Sequence, residues 1–191
     1  MIQPIRCLAI ANRGEAAMRC IRAVKSLGAL EGTEIQVVAL YTAPDRSAPF
    51  VRHADVAVEL PYTGSAVSAY LDYELLVRTM KRVGADAVWP GWGFVAEDPS
   101  FVDRVTSEGI RFLGPSSNTM RALGDKISSK LLAERADVPV TPWSRGAVKD
   151  TTEALQHAQR IGYPLVIKAS AGGGGRGIRI VEQPEPPAIP F

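Results

Sequence analysis

The 191-residue chain predicts an α/β protein: a doubly wound parallel sheet with helices on both faces, followed by a shorter segment of different pattern. Three observations carry this reading. Short apolar runs alternate with longer stretches whose apolar residues recur every three or four positions. Runs such as Ile35 to Leu40 are apolar almost throughout, as strands covered on both faces are. Beyond Gly114 the alternation stops, and helix, proline-containing linker and a glycine-rich hairpin replace it.

The elements follow in order. Arg6 to Ala11 reads as the first strand. Glu15 to Leu27 reads as a helix with Ala17, Cys20, Ile21 and Val24 on one stripe, and Gly28 is its expected stop. Ile35 to Tyr41 and Asp55 to Leu60 are the second and third strands. Leu71 to Val83 is a helix that turns Leu75, Leu76, Thr79 and Met80 inward. Ala85 to Trp89 is the fourth strand, closed by Pro90; Pro99 to Ser107 is helical, and Arg111 to Leu113 is a last short strand. Ser116 to Ala136 is helical with a break at Gly124-Asp125. Val138 to Trp143 is extended, because Pro139 and Pro142 push the residues before them out of the helical region. Thr151 to Ile161 is a helix with Thr151 or Thr152 as cap. Pro164 to Ser170 and Ile178 to Glu182 are strands flanking a glycine loop. The tail from Gln183 to Phe191 holds four of the chain's 14 prolines and fits neither a central strand nor a helix interior. These patterns divide the chain into residues 1–115, 116–182 and a proline-rich tail, 183–191.

Composition narrows the function. Lys+Arg 22 against Asp+Glu 20 leaves a net charge of +2, which argues against a nucleic-acid-binding face. No apolar run is long enough for a membrane span, and the first residues do not resemble a signal peptide. Cys7 and Cys20 are too few for a disulfide-stapled fold and lack metal-site spacing, so a reducing cytoplasm is expected. His53 and His157 sit in helical settings and read as solvated. No metal ligand set is expected from this chain.

The loudest chemical feature is Lys168 followed by Gly172, Gly173, Gly174, Gly175, Arg176 and Gly177 between two strands. Consecutive glycines cost backbone entropy, but they let N–H groups wrap closely around phosphate oxygens. Arg176 adds a fork of donors, and Lys168 adds a point charge at the loop mouth. The loop is not a Walker A motif, because Ile178 stands where that motif needs Lys and a strand, not a helix, follows. Trp89 to Asp98 contains a G-x-G-x-x-A match after a strand, but no acid follows where a dinucleotide fold needs one. Asn12, Gly14 and Glu15 read as the cap, turn and dipole complement of the first helix. Lys126 follows Asp125 in a first helical turn, where a cation opposes the dipole; the position fits a lysine that serves an anion.

Taken together, Ala11-Asn12-Arg13-Gly14-Glu15, Pro90 to Phe94, Phe112 to Ser116, Gly124-Asp125-Lys126 and Ile167 to Gly177 resemble the biotin carboxylase family of ATP-grasp ligases. The resemblance implies a Rossmann-like pre-ATP-grasp domain, then the truncated start of an ATP-grasp domain. It implies ATP, Mg2+ and biotin as cofactors, with bicarbonate as substrate and biotin carried on a separate carrier domain. It assigns Lys126, Lys168 and Gly172 to Gly177, with Arg176, to ATP. It assigns Trp92, Gly93 and Glu97 to a loop bordering the biotin and bicarbonate site, and sets Arg13 and Glu15 near the family's homodimer contacts. It assigns no catalytic residue and no metal ligand to this chain. Trp89, Trp92 and Pro142-Trp143-Ser144 look closer to an acetyl-CoA carboxylase, hence to fatty acid biosynthesis, than to the pyruvate enzyme. On this reading the chain is the amino-terminal part of such a ligase and is inactive alone. The alternatives are a non-catalytic pre-ATP-grasp module that binds a partner, or half of another ATP-grasp ligase such as carbamoyl-phosphate synthase.

Overall fold

The structure, a computed structural model, describes residues 3–169 and 177–183. The chain forms two compact units, Met1–Arg121 and Ala122–Phe191. In the first, β1 (Cys7–Ile10), β2 (Gln36–Tyr41), β3 (Val56–Glu59), β4 (Ala87–Trp89) and β5 (Arg111–Phe112) make one parallel sheet in the order β3-β2-β1-β4-β5. The chain winds outward from β1 through β2 to β3, then returns to the other side of β1 for β4 and β5. The reversal lies between β1 and β4, which pair from Leu8↔Ala87 to Ile10↔Trp89.

Alternation along the buried strands builds a core on each face. Ala9, Val38, Leu40 and Val88 meet Leu75, Leu76, Val77 and Met80 of α4 (Tyr73–Arg82), and Phe101, Val102 and Val105 of α5 (Pro99–Ser107). Leu8, Ile10, Val37, Ala39 and Ala87 meet Ala17, Cys20 and Ile21 of α1 (Gly14–Glu31), and Phe50 of α2 (Pro49–His53). Parallel strands covered on both sides are what the apolar runs predict. Three short pieces escape the list of predicted elements: a 3-10 turn at Ala43–Asp45, α2 and α3 (Ala66–Ala69).

Three local expectations are corrected. α1 does not stop at Gly28; it runs on to Glu31 and ends at Gly32, whose left-handed backbone returns its N–H to the Gly28 carbonyl. The Thr33 N–H reaches the same carbonyl at 3.1 Å. Gly28 serves close approach instead, since a Cβ there would lie 2.6 Å from the Thr33 carbonyl oxygen. Asn12 does not cap α1: Arg13 holds the cap position, and no side chain makes the cap bond. In α8 (Thr151–Ile161) the cap is Asp150 rather than Thr151 or Thr152. Its carboxylate accepts the Glu153 N–H at 2.9 Å, while the Glu153 carboxylate accepts the Lys149 N–H at 2.9 Å.

The second unit contains α7 (Lys126–Arg135), α8 and an antiparallel hairpin of β6 (Leu165–Lys168) and β7 (Ile178–Val181). α6 (Ser117–Gly124) spans the division between the units. Residues 138–144 carry no regular element, as the prolines predict. Trp143 is anchored there by its indole N–H donating to Glu134 at 2.8 Å, with the Lys130 ammonium 5.2 Å from its ring. His157, read as solvated, is half-buried beside Glu153 and Arg160.

Candidate functional site

Open α/β sheets hold ligands outside the carboxyl ends of their strands, where the strand order reverses. In the first unit that crevice is bounded by the segments leaving β1 and β4. Asn12 joins them. Its buried carboxamide donates to the Pro90 carbonyl at 2.7 Å and to the Trp92 carbonyl at 2.9 Å, and accepts the Arg13 N–H at 2.8 Å. Beside it, the Arg13 guanidinium forks onto both Asp45 oxygens at 2.6 Å.

The loop after β4 has an unusual backbone. Gly91, Gly93 and Phe94 have φ of 65°, 74° and 46°. Phe94 is not a glycine, so its left-handed geometry must be held by its surroundings. Tyr70 does so, stacking on the Phe94 ring at 4.8 Å between centroids while its hydroxyl donates to the Leu40 carbonyl at 2.9 Å. Burial, the main cause, keeps that phenol neutral well above its ordinary range. Gly91 is fixed by space as well as by φ: a Cβ would lie 2.8 Å from the Asn12 amide nitrogen. Trp92 (59% exposed), Gly93 and Glu97 face solvent on this loop, so the three residues assigned to biotin and bicarbonate stand together. Asp98 closes the segment by capping α5, accepting the Ser100 and Phe101 N–H groups.

The residues that the sequence resemblance assigns to ATP lie in the second unit. Lys126 is the first residue of α7, directly after Asp125, whose carboxylate accepts the Ile127 and Ser128 N–H groups at 3.1 and 2.7 Å. Those bonds, foremost from Ser128, hold the Asp125 carboxyl below its ordinary range. Lys168 ends β6, exposed and opposite Ile178. Gly177 closes the far side of the loop, its carbonyl accepting the Ala169 N–H at 2.8 Å. Gly172, Gly173, Gly174, Gly175 and Arg176 lie outside the described residues. The register adds what the sequence reading missed: in an antiparallel pair, Val166, Ile180, Ile178 and Lys168 share one face. The three apolar residues on it are 50%, 70% and 44% exposed. A short apolar platform therefore ends in an ammonium group. The sequence signal for it was the alternation Ile178-Arg179-Ile180, which becomes informative only once that strand is paired with Val166 to Lys168.

Residues 4–120 match the family described as biotin carboxylase, N-terminal domain, and residues 125–187 match the carbamoyl-phosphate synthase L chain, ATP binding domain. A pyruvate carboxylase subunit from Methanothermobacter thermautotrophicus is 43% identical over 172 residues, 90% of this chain and 34% of that protein. The mitochondrial propionyl-CoA carboxylase alpha chain of Mus musculus is 44% identical over 171 residues, 90% of this chain and 23% of that protein. The chain thus spans about a third or less of these curated relatives. Among solved structures, the biotin carboxylase domain dimer of Hydrogenobacter thermophilus 2-oxoglutarate carboxylase, in complex with MgADP, ADP and bicarbonate, aligns with a TM-score of 0.83 at 43% identity. That alignment covers 95% of this chain and 38% of the other. The match over residues 4–120, the relatives at 43–44% identity and the structural alignment agree, and the chain belongs to the biotin carboxylase N-terminal domain family.

Proposed function

We propose that the chain supplies the amino-terminal part of a biotin carboxylase, an ATP-dependent ligase that carboxylates biotin with bicarbonate. In domain terms, residues 1–115 form the pre-ATP-grasp domain, 116–182 open the ATP-grasp unit and 183–191 are a tail. The observation that carries the reading is the hairpin face on which Val166, Ile178 and Ile180 lead to Lys168. An adenine ring favours the apolar part of such a face and its phosphates favour the ammonium end. Lys126 and Lys168 bind phosphate oxygens as point charges, and Gly172 to Gly177 with Arg176 close over them. Trp92, Gly93 and Glu97 border biotin and bicarbonate. Magnesium bound with ATP supplies neutralisation of phosphate charge. It is not fitted to this chain, since among the described residues no group of three or more His, Cys, Asp or Glu is placed to hold a metal ion.

The match over residues 125–187 supports nucleotide binding in either a biotin carboxylase or a carbamoyl-phosphate synthase; the match over residues 4–120 favours the former. The partners on this reading are a biotin carrier domain and a second copy of the chain, with α1 near the contact. The finer reading, an acetyl-CoA acceptor and a role in fatty acid biosynthesis, rests on Trp89, Trp92 and Pro142-Trp143-Ser144. Relatives named for pyruvate, propionyl-CoA and 2-oxoglutarate carboxylases match the same stretch, so this stretch does not decide the acceptor. A reducing compartment such as the cytoplasm suits the two buried free thiols, and among the described residues no helix is long and apolar enough to cross a membrane.

The test is equilibrium dialysis of the 191-residue chain against MgATP. Weak, saturable binding is expected, and Lys168→Ala should lose roughly 1.5–3 kcal/mol of it, the range for a hydrogen bond to a charged group. Absence of binding, or binding indifferent to Lys168→Ala, refutes the assignment. ADP release with bicarbonate and free biotin should stay at background. Robust turnover abolished by Lys168→Ala would show that these residues already complete the site.

A further inference from the structure

In the loop after β4 the Trp92 carbonyl turns inward, accepting from Asn12 at 2.9 Å. A peptide group is planar and trans, so its C=O and N–H point to opposite sides. The Gly93 N–H on that same peptide therefore faces away from Asn12. Gly93 is exposed, and among the described residues its N–H has no acceptor. The peptide is not free to turn over. Its neighbours Gly91 and Phe94 are in left-handed conformations, Pro90 is held by the second N–H of Asn12 at 2.7 Å, and Phe94 is clamped by Tyr70. Strain of this kind persists only where the surroundings over-determine it. Asn12 is itself 4% exposed, and its third bond, from the Arg13 N–H, fixes which amide edge faces the loop.

The geometry points to Asn12 as a positioning residue, one that locks the Trp92–Gly93 peptide so that the Gly93 N–H is presented outward as a preformed donor. The acceptor it suits is an oxygen of a small carbonyl or carboxylate-like ligand, such as the biotin ureido group or bicarbonate. The ligand part rests on the function proposed above, whereas the lock itself does not.

The experiment is amide NMR on the 191-residue chain, wild type and Asn12 variants, titrated with free biotin and with sodium bicarbonate. In the wild type, Gly91 to Phe94 should give one set of signals, and the Gly93 amide should move on titration. Asn12→Ala should shift or split those four signals while leaving Val38 and Phe101 in place, and should weaken binding about tenfold, the equivalent of about one and a half kcal/mol. Asn12→Asp keeps the shape but loses both donors when ionised. Acidification returns one O–H donor, so its biotin affinity should partly recover as pH falls, while the ratio of Asn12→Ala to wild type stays flat. Arg13, Glu15, Asp45, Tyr70 and Glu97, the titratable groups of the flanking segments, are common to all variants, so comparing variants at each pH cancels them. Signals of Gly91 to Phe94 unmoved in Asn12→Ala would overturn the lock, as would an Asn12→Asp variant that tracks Asn12→Ala at every pH. A wild type whose Gly93 amide ignores both probes would refute the ligand reading; the four loop signals in Asn12→Ala then decide the lock alone. Should Asn12→Ala fail to fold, Asn12→Asp across the same pH range decides it.

Discussion

Tyr73 donates its phenol to Asp98, and that bond first, with burial second, pushes its pKa up to about 12 from an ordinary 10.0. The unfolded chain releases this proton at lower pH than the folded one. The contribution to stability is therefore complete below pH about 10 and is lost as pH rises toward about 12. Alkaline unfolding followed by circular dichroism should show the loss in wild type. Tyr73→Phe should reduce that loss, leaving the share due to the buried Tyr70 phenol and Cys20 thiol, and cost about 1 kcal/mol at neutral pH. The cysteines behave alike for a different reason. Burial pushes the Cys20 thiol up to about 11, and burial followed by Asp86 raises Cys7. Both thiols should resist a disulfide-exchange reagent at neutral pH until denaturant is added; rapid reaction in the folded chain would contradict the packing described. At this scale the sequence discloses residue types better than their partners. Trp92, Gly93, Glu97, Lys126 and Lys168 stand out by motif. Asn12 does not, because an Asn just before a helix is ordinarily a cap, and only the approach of β4, 78 residues away in sequence, gives its carboxamide another use.

Among the elements, α1 offers the sharpest test. A glycine inside a helix is ordinarily improved by alanine, by about 1 kcal/mol. Gly28→Ala should instead destabilise by about 1–3 kcal/mol in urea unfolding, since the new Cβ collides with the Thr33 backbone oxygen at 2.6 Å. A gain in stability would show that the turn after α1 gives way. Asp150→Ala should weaken α8 by about 1 kcal/mol through loss of the cap, while Thr151→Ala should do far less. Long elements are legible because a hydrophobic stripe repeats over several turns: α5 has the bounds its pattern predicts, and α4 lies inside its predicted range. α2 and α3 span too few residues to show a period. Helix ends are decided by hydrogen bonds rather than by the nearest glycine or threonine, which is why Gly32 and Asp150 prevail over Gly28 and Thr151.

Over the whole molecule, burial is uneven. Every buried apolar residue among those described belongs to the first unit, except Ala158. A lone two-stranded hairpin with both strands largely exposed is marginal. Hydrogen exchange should therefore be slow in β1, β2 and β4 and faster in α7, α8, β6 and β7, and Phe101→Ala should cost about 3–5 kcal/mol in the first unit. Uniform protection across the chain would contradict this. The fold class is legible as apolar runs, but the strand order is not, because periodicity says which face a strand buries and not which strand lies next to it. The loop after β4 has a corollary for protein engineering. Its shape is specified by Asn12 from the end of β1, Tyr70 from the turn after α3 and the strand's own Gly91 and Phe94. Cut out as a contiguous peptide and grafted onto another sheet, it would leave its fasteners behind; the smallest transplantable part is scattered over three stretches of sequence, and a recipient scaffold must offer all three.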